Sequence, residues 1–325
     1  MRITVVGLGA IGALMAARMS AAGHEVAALA RGATLQAVRH DGIELLDGDS
    51  SSRHRIVASD EPAALPAADL VVIALKGPAL AAAAQALAPL WAGGACVMPA
   101  MNGVPWWFMR TTATSGVAMD LHSVDPHGAI AAALPLPQVL GCVVHLAASC
   151  PQPGQVRLSF GRKLIVGEPA GGPSARLETV ATALEAAGFD VARSADVRSD
   201  IWYKLWGNMT TNPISALTGA TCDRILDDDL VRAFMARAMG EAAEIGRRIG
   251  CPIAQSAEDR IGLTRQLGAF KTSMLQDAEA GRPFELDALV GAVREIGRRV
   301  GAATPDIDAL LGLTRLMGRQ RGLYP

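Results

Sequence analysis

Residues 3–31 read ITVVGLGAIGALMAARMSAAGHEVAALAR, and this stretch decides the fold. Ile3 to Val6 is a β-branched run, too short for a helix and closed at once by glycine, so it reads as a buried strand. Gly7, Gly9 and Gly12 follow with the spacing G-x-G-x-x-G. Leu14, Ala17, Arg18 and Ala21 then recur at helical spacing up to Gly23, a C-terminal stop, and Glu25 to Leu29 reads as a second strand. Strand, glycine turn, helix and strand within ~30 residues form the context that a dinucleotide fingerprint requires. Gly7 permits the tight turn, Gly9 lets backbone approach a pyrophosphate, and Gly12 brings helix and strand together. Leu8, Ala10 and Ile11 complete the loop whose N–H groups and helix dipole would hold that anion.

At the end of the second strand an NAD site carries an acidic residue for the ribose 2′-hydroxyl. Here that place is taken by Arg31, followed by Gly32 and Thr34. A guanidinium matches a phosphate and cannot accept a hydrogen bond from a hydroxyl, so the cofactor expected is NADP(H).

Working outward, 325 residues suit two domains with a substantial core. The net charge of −1 and the lack of a basic run argue against nucleic acid as a partner. The fingerprint begins at residue 3, which leaves no room for a signal peptide. Five cysteines, an odd number without metal-like spacing, suggest reduced thiols, a cytoplasmic setting and no metal site. Residues 77–109 carry no charge. Pro89, Gly93, Gly94, Pro99 and Pro105 divide them, so they read as helix plus strand and not as a membrane span. All six histidines lie in the first 145 residues, so a proton donor in the second half must be another residue type. Lysine is rare, at positions 76, 163, 204 and 271 only, against 26 arginines. A retained lysine can mark a site that needs a compact ammonium of adjustable pKa; random residue choice is the alternative for any one of them.

Beyond Arg31 a helical segment runs to His40, followed by strands joined by a polar turn. Ala68 to Leu75 is a buried parallel strand with Lys76 and Gly77 at its carboxyl end, where open α/β sheets bind ligands. Lys76 can face a cofactor there or be a solvated loop lysine. Residues 79–91 read as a helix and Ala95 to Ala100 as a strand that ends in Met101-Asn102-Gly103. Asn102 can hold a nicotinamide, or simply form an Asn-Gly turn. Val139–Ala148, Gln155–Phe160 and Lys163–Val166 read as three strands separated by turns. His145, inside the first of these, reads as a packed histidine. Ser174–Ala187 is a helix and Phe189–Ala192 a further strand. From about Ser199 the pattern is helical, and the domain boundary is expected at 196/197, giving 1–196 and 197–325.

The second domain opens with DIWYKLWGNMTTNPISALTG (200–219). Lys204, Asn208 and Asn212 are spaced i, i+4, i+8 and share one helical face within about 80°. Pro213 should end or bend the helix. Farther on stand Ser273, Asp277 and Glu285; Glu285 can also complement the dipole of a helix begun by Pro283.

GLGAIG at 7–12, Arg31, LKG at 75–77, NGV at 102–104, the W-x-K-L-x-x-N-x-x-x-N-P run at 202–213 and SMLQD with E-L-D at 273–287 carry a resemblance. Over nearly its whole length the sequence resembles the ketopantoate reductases (2-dehydropantoate 2-reductases). The likeness implies an α/β fold with an N-terminal Rossmann-type NADP(H) domain, an all-helical substrate domain and an active site in the cleft between them. It implies reduction of a small 2-oxo acid in pantothenate biosynthesis. Lys204 is then the proton donor, and Asn208, Asn212 and Ser273 hold the substrate. Asn102 and Lys76 lie near the nicotinamide ribose, and Glu285 near the cofactor or a substrate hydroxyl. Relatives often carry Gln where Met101 stands, Asn where Phe270 stands, and some a substrate-binding Asn where Cys222 aligns. Trp106 and Trp107 are a bulky addition, expected to form apolar wall. A β-hydroxyacid or opine-type dehydrogenase and a non-catalytic NADP(H) sensor are the competing readings. A homodimer is open.

Overall fold

The computed structural model describes residues 1–111, 118–266 and 268–325. The chain forms two compact units, Met1–Met101 with Gly128–Val197, and Asn102–His127 with Arg198–Pro325. The segment 102–127 thus groups with the second unit, whereas the sequence expectation placed it in a continuous first domain.

In the first unit a five-stranded sheet consists of β1 (Arg2–Val6), β2 (Glu25–Leu29), β5 (Val57–Ser59), β6 (Leu70–Ile73) and β7 (Cys96–Pro99). Its order is β5-β2-β1-β6-β7 and every pair is parallel. The chain leaves β1 toward β2 on one side, while β6 flanks β1 on the other. The end of β1 is therefore the topological switch point, where α/β sheets bind ligands. A second sheet holds β3 (Ile43–Asp47), β4 (Ser50–His54), β8 (Gly141–Ser149), β9 (Gln155–Gly167) and β10 (Asp190–Ser194). Helix α1 (Ala10–Ala21) packs against strands of both sheets and is buried from Gly12 to Met19. A helix apolar on all sides needs such a position. Its one charge in that run, Arg18, is neutralised by Asp47 at 2.6 Å and lies over the Phe189 ring. Helices α2 (Gly32–Asp41), α3 (Gly77–Leu87), α4 (Ala129–Ala133) and α5 (Ala175–Ala186) complete the unit.

The strands read at Gln155–Phe160 and Lys163–Val166 are one strand, β9, antiparallel to β8 with register shifts near His145–Ala148. Gly161 has φ +70°, and a side chain there would meet the His145 carbonyl oxygen at 2.8 Å. The glycine marks an irregularity inside a ladder, a reading that looks like a turn in sequence.

The second unit is helical: α6 (Val197–Thr218), α7 (Cys222–Asp227), α8 (Asp229–Arg248), α9 (Ala257–Arg265), α10 (Ser273–Glu279), a π turn (Asp287–Gly291), α11 (Ala292–Arg299) and α12 (Pro305–Gln320). Asp228, Ser256 and Thr272 cap α8, α9 and α10 through their side chains. The core joins α6 to α8. The indole N–H of Trp202 donates to the Ala242 carbonyl at 3.2 Å and that of Trp206 to Met239 at 2.7 Å. Gly246 makes room, since a Cβ there would lie 2.4 Å from the Trp202 indole nitrogen.

Pro213 does not end α6, which continues to Thr218. Met209, Asn212, Ile214, Ser215 and Ala216 are all buried around it, and packing of this kind outweighs one lost backbone hydrogen bond. The helix expected to begin at Pro283 starts at Leu286, so Glu285 immediately precedes it and is not in its first turn. Trp106 and Trp107 are 3% and 1% exposed and form packed interior, not open wall. Among the described residues no helix is long and apolar enough to cross a membrane.

Candidate active site

In the first unit the three fingerprint glycines have three separable reasons. Gly7 sits at φ +92°, and a side chain would press on the Ala74 carbonyl oxygen at 3.1 Å. At Gly12 a Cβ would lie 1.9 Å from the Gly7 carbonyl oxygen, so this glycine lets α1 approach the strand. At Gly9, the N-cap of α1, nothing lies within 4 Å of an added Cβ. The protein itself gives Gly9 no steric reason to be glycine. An approaching ligand would. The first turn of α1 holds no acidic residue, so its positive end is left to an anion. Leu8 and Ala13 border a cavity of ≈ 260 Å³ shared with Thr34 and Val38 of α2 and with the 150–155 turn.

Arg31 is the N-cap of α2 and exposed, and among the described residues no carboxylate pairs with its guanidinium. Neighbouring Arg39, by contrast, is engaged with the Ala58 carbonyl and Asp60. Lys76 is the N-cap of α3 and half-buried, at the carboxyl end of β6. The groups present therefore fit a dinucleotide: glycine clearance and a bare helix end for pyrophosphate, with a cation beyond β2.

In the second unit Lys204, Asn208 and Asn212 lie along α6; the first two are half-buried and Asn212 is 5% exposed. The Lys204 ammonium donates to Asn102 Oδ1 at 2.7 Å. Because an ammonium only donates, the amide oxygen of Asn102 must face it. Asn212 Nδ2 points to Ser273 Oγ at 3.5 Å, the long limit of a hydrogen bond. Ser273 is the first residue of α10, exposed, just after the cap Thr272. Four segments distant in sequence thus present polar groups within one unit, and Glu285 stands half-buried before the π turn. Cys222 is 1% exposed, its thiol pushed up to about 11 by burial, and its N–H donates to the Phe270 carbonyl at 3.0 Å. It is core. Phe270 is half-buried three residues before Ser273.

Sequence reading passed over Asp287 and Tyr324. The Tyr324 hydroxyl donates to Asp287 Oδ1 at 2.7 Å. Burial raises the Asp287 carboxyl above the usual range, against the hydrogen bond and Arg315, which lower it. Asp287 was visible as the second acid of E-L-D, but nothing in sequence pairs it with a tyrosine 37 residues on. A hollow of ≈ 480 Å³ lined by Asp287, Ser123, Arg294, Glu295 and Arg315 includes none of Lys204, Asn208, Asn212 or Ser273.

Residues 3–171 match the family described as "Ketopantoate reductase PanE/ApbA", and residues 196–318 match "Ketopantoate reductase PanE/ApbA C terminal". The chain is 41% identical over 325 residues to a 2-dehydropantoate 2-reductase of Mesorhizobium japonicum, covering all of both chains. It is similar to a protein of Ralstonia solanacearum whose crystal structure names it a candidate ketopantoate reductase, with 53% identity, 99% of each chain and a TM-score of 0.96. D-mandelate dehydrogenase solved with NADH and anilino(oxo)acetate shares the fold at 19% identity and TM-score 0.85, over 99% of this chain and 100% of that one.

Proposed function

The chain belongs to the ketopantoate reductase family, and from that premise we propose that it reduces 2-dehydropantoate to pantoate with NADPH, in the cytoplasm, using Lys204 as proton donor. As a member of that family it is an oxidoreductase acting on a CH-OH/C=O pair. The observation that carries the finer reading is the Lys204–Asn102 pair, a half-buried ammonium held at 2.7 Å by an amide oxygen. Mere nucleotide binding has no use for it.

When bound, the nicotinamide supplies a hydride to C2 of the ketone. The oxygen then gains negative charge, which the Lys204 ammonium stabilises and protonates. Asn208, Asn212 and Ser273 offer amide and hydroxyl donors for the substrate carboxylate and hydroxyl. Lys76 and Asn102 serve the ribose end, and Glu285 a hydroxyl of cofactor or substrate. Gly7, Leu8, Gly9, Ala10, Ile11 and Gly12 cradle the pyrophosphate, and Arg31 pairs with the 2′-phosphate.

With Cys222 in the core, the substrate argument narrows to Phe270, where some relatives place an amide. A lost amide contact to a hydroxyl forfeits ~1 kcal/mol, so hydroxyl-free branched 2-oxo acids should be accepted comparatively well. The test is NADPH consumption by purified protein with ketopantoate and with 2-oxoisovalerate, in wild type and Phe270→Asn. Turnover of ketopantoate with selectivity rising in the variant supports the reading. Rejection of ketopantoate alongside turnover of another 2-oxo acid overturns it.

A further inference from the structure

We propose that the π turn Asp287–Gly291 is the positioning element for the proton donor: it seats Asn102, and through Asn102 the Lys204 ammonium, while Tyr324 holds the turn. This rests on Lys204 as proton donor.

A lysine side chain has four rotatable bonds, and only a fixed acceptor sets the direction of its N–H groups. Asn102 Oδ1 is such an acceptor, but Asn102 stands on an Asn-Gly turn and needs an anchor of its own. The anchor is Ala288. In an α-helix the Ala288 carbonyl would receive the N–H of Ala292. In the π turn that N–H donates to Asp287 instead. The Ala288 oxygen accepts the N–H of Val104 at 2.8 Å. Gly103, at φ +82°, lies so close on this carbonyl that a Cβ would be 2.5 Å from the oxygen and 2.7 Å from the Ala288 Cβ. No side chain fits between turn and helix. The segment is held a second time, where His122 and Ser123 donate backbone N–H groups to Glu295 of α11 at 3.0 and 2.8 Å.

The π turn is braced in its turn by residues 323 and 324. Tyr324 bonds Asp287, the first residue of the turn, and the Leu323 carbonyl accepts from Phe284 N–H at 3.3 Å. These two bonds flank Glu285 and Leu286. Gly318 allows the approach, since a Cβ there would lie 2.7 Å from both the Phe284 ring and the Tyr324 Cβ. The path from Tyr324 to Lys204 is thus a series of direct contacts inside one unit.

The experiment compares Gly103→Ala, Tyr324→Phe and Lys204→Ala in steady-state kinetics across pH, with NADPH affinity from fluorescence titration. Gly103→Ala should lower kcat roughly thirtyfold or more, as a displaced catalytic group does, with a smaller loss of NADPH affinity because Asn102 also serves the ribose end. Tyr324→Phe removes one hydroxyl and should lower kcat roughly threefold to tenfold. Asn102 accepting from the ammonium favours its charged form, so a loosened Asn102 lowers the Lys204 pKa and moves the basic limb of the kcat profile to lower pH. If Gly103→Ala does not fold, Tyr324→Phe decides alone. A kcat loss in Tyr324→Phe without movement of the basic limb overturns the proposal, as do unchanged kinetics. Turnover retained in Lys204→Ala overturns the proton-donor reading and the positioning role with it. Loss in Lys204→Ala with neither other variant affected overturns the positioning role alone.

Discussion

The Gly7–Gly12 turn and the Lys204–Asn212 stripe work with different parts of the chain. The turn offers backbone: absent side chains, N–H groups at a helix end, and a bare Gly9. The stripe offers side chains, and its partners arrive from residues 102 and 273. A backbone device is local, so its spacing survives in sequence. A side-chain constellation is assembled by packing, and its members are scattered. Damage should therefore differ in kind: steric at the turn, chemical at the stripe.

The largest effect is expected at the stripe. Lys204→Ala should lower kcat by roughly 10²–10⁴, the span of general acid catalysis, with NADPH affinity largely kept. Lys204→Arg should rescue poorly, because a guanidinium stays protonated. Steady-state kinetics and cofactor titration check both; full activity of the arginine variant would show that charge alone suffices.

At the turn, two glycine-to-alanine changes three residues apart should separate fold from binding. Gly12→Ala places a Cβ 1.9 Å from the Gly7 carbonyl oxygen and should cost at least ~2 kcal/mol of stability, as overpacking does. Gly9→Ala meets nothing in the protein, so thermal melting should stay near wild type while NADPH affinity falls. Equal affinity in Gly9→Ala would break the comparison, since the turn would then have no ligand-facing glycine.

This contrast also explains what was legible. The strand–glycine–helix unit and the i, i+4, i+8 stripe were readable because each is periodic and local. At Pro213 the sequence offered an end or a bend, and the helix does not end there, because propensity is a local quantity and burial of Met209, Ile214 and Ala216 is not. Gly161 misled because a glycine at positive φ serves a bulge as well as a turn. The Asn-Gly turn was visible, but not its seat on Ala288, 186 residues away; no spacing rule links them. Met101-Asn102 likewise looked like one strand end, although 102–127 groups with the helical unit.

A smaller effect concerns Arg31. A charge-assisted contact to the 2′-phosphate, discounted for exposure, amounts to roughly tenfold in affinity. Arg31→Ala should narrow the NADPH-over-NADH preference by that factor, read from KM for each cofactor. Equal use of both by wild type would sink the assignment and place this chain's cofactor choice elsewhere.

The smallest expected effect sets the units against each other in acid. In the first unit Glu168 is held below the usual carboxylate range chiefly by hydrogen bonds from Arg176, then by one from Ser174. Arg176 also reaches the Val139 carbonyl at 3.1 Å, so the pair braces the approach to β8. A depressed folded pKa means stability that is present above the unfolded value, ~4.3, and lost as pH falls through the folded one. In the second unit Glu241 accepts the N–H groups of Asp306 and Ile307 at the start of α12, at 2.9 and 3.0 Å, yet burial raises its pKa. For Glu241 the sign reverses: its contribution is present below the unfolded value and is lost as pH rises through the folded one. Glu168→Gln should therefore destabilise most at neutral pH, with the gap to wild type closing as pH falls below the unfolded carboxylate value. Glu241→Gln should cost least at neutral pH and relatively more in acid. Calorimetric scans of both variants from neutral to acidic pH measure this. Parallel shifts in the two would show that the units do not differ in how they hold their half-buried carboxylates.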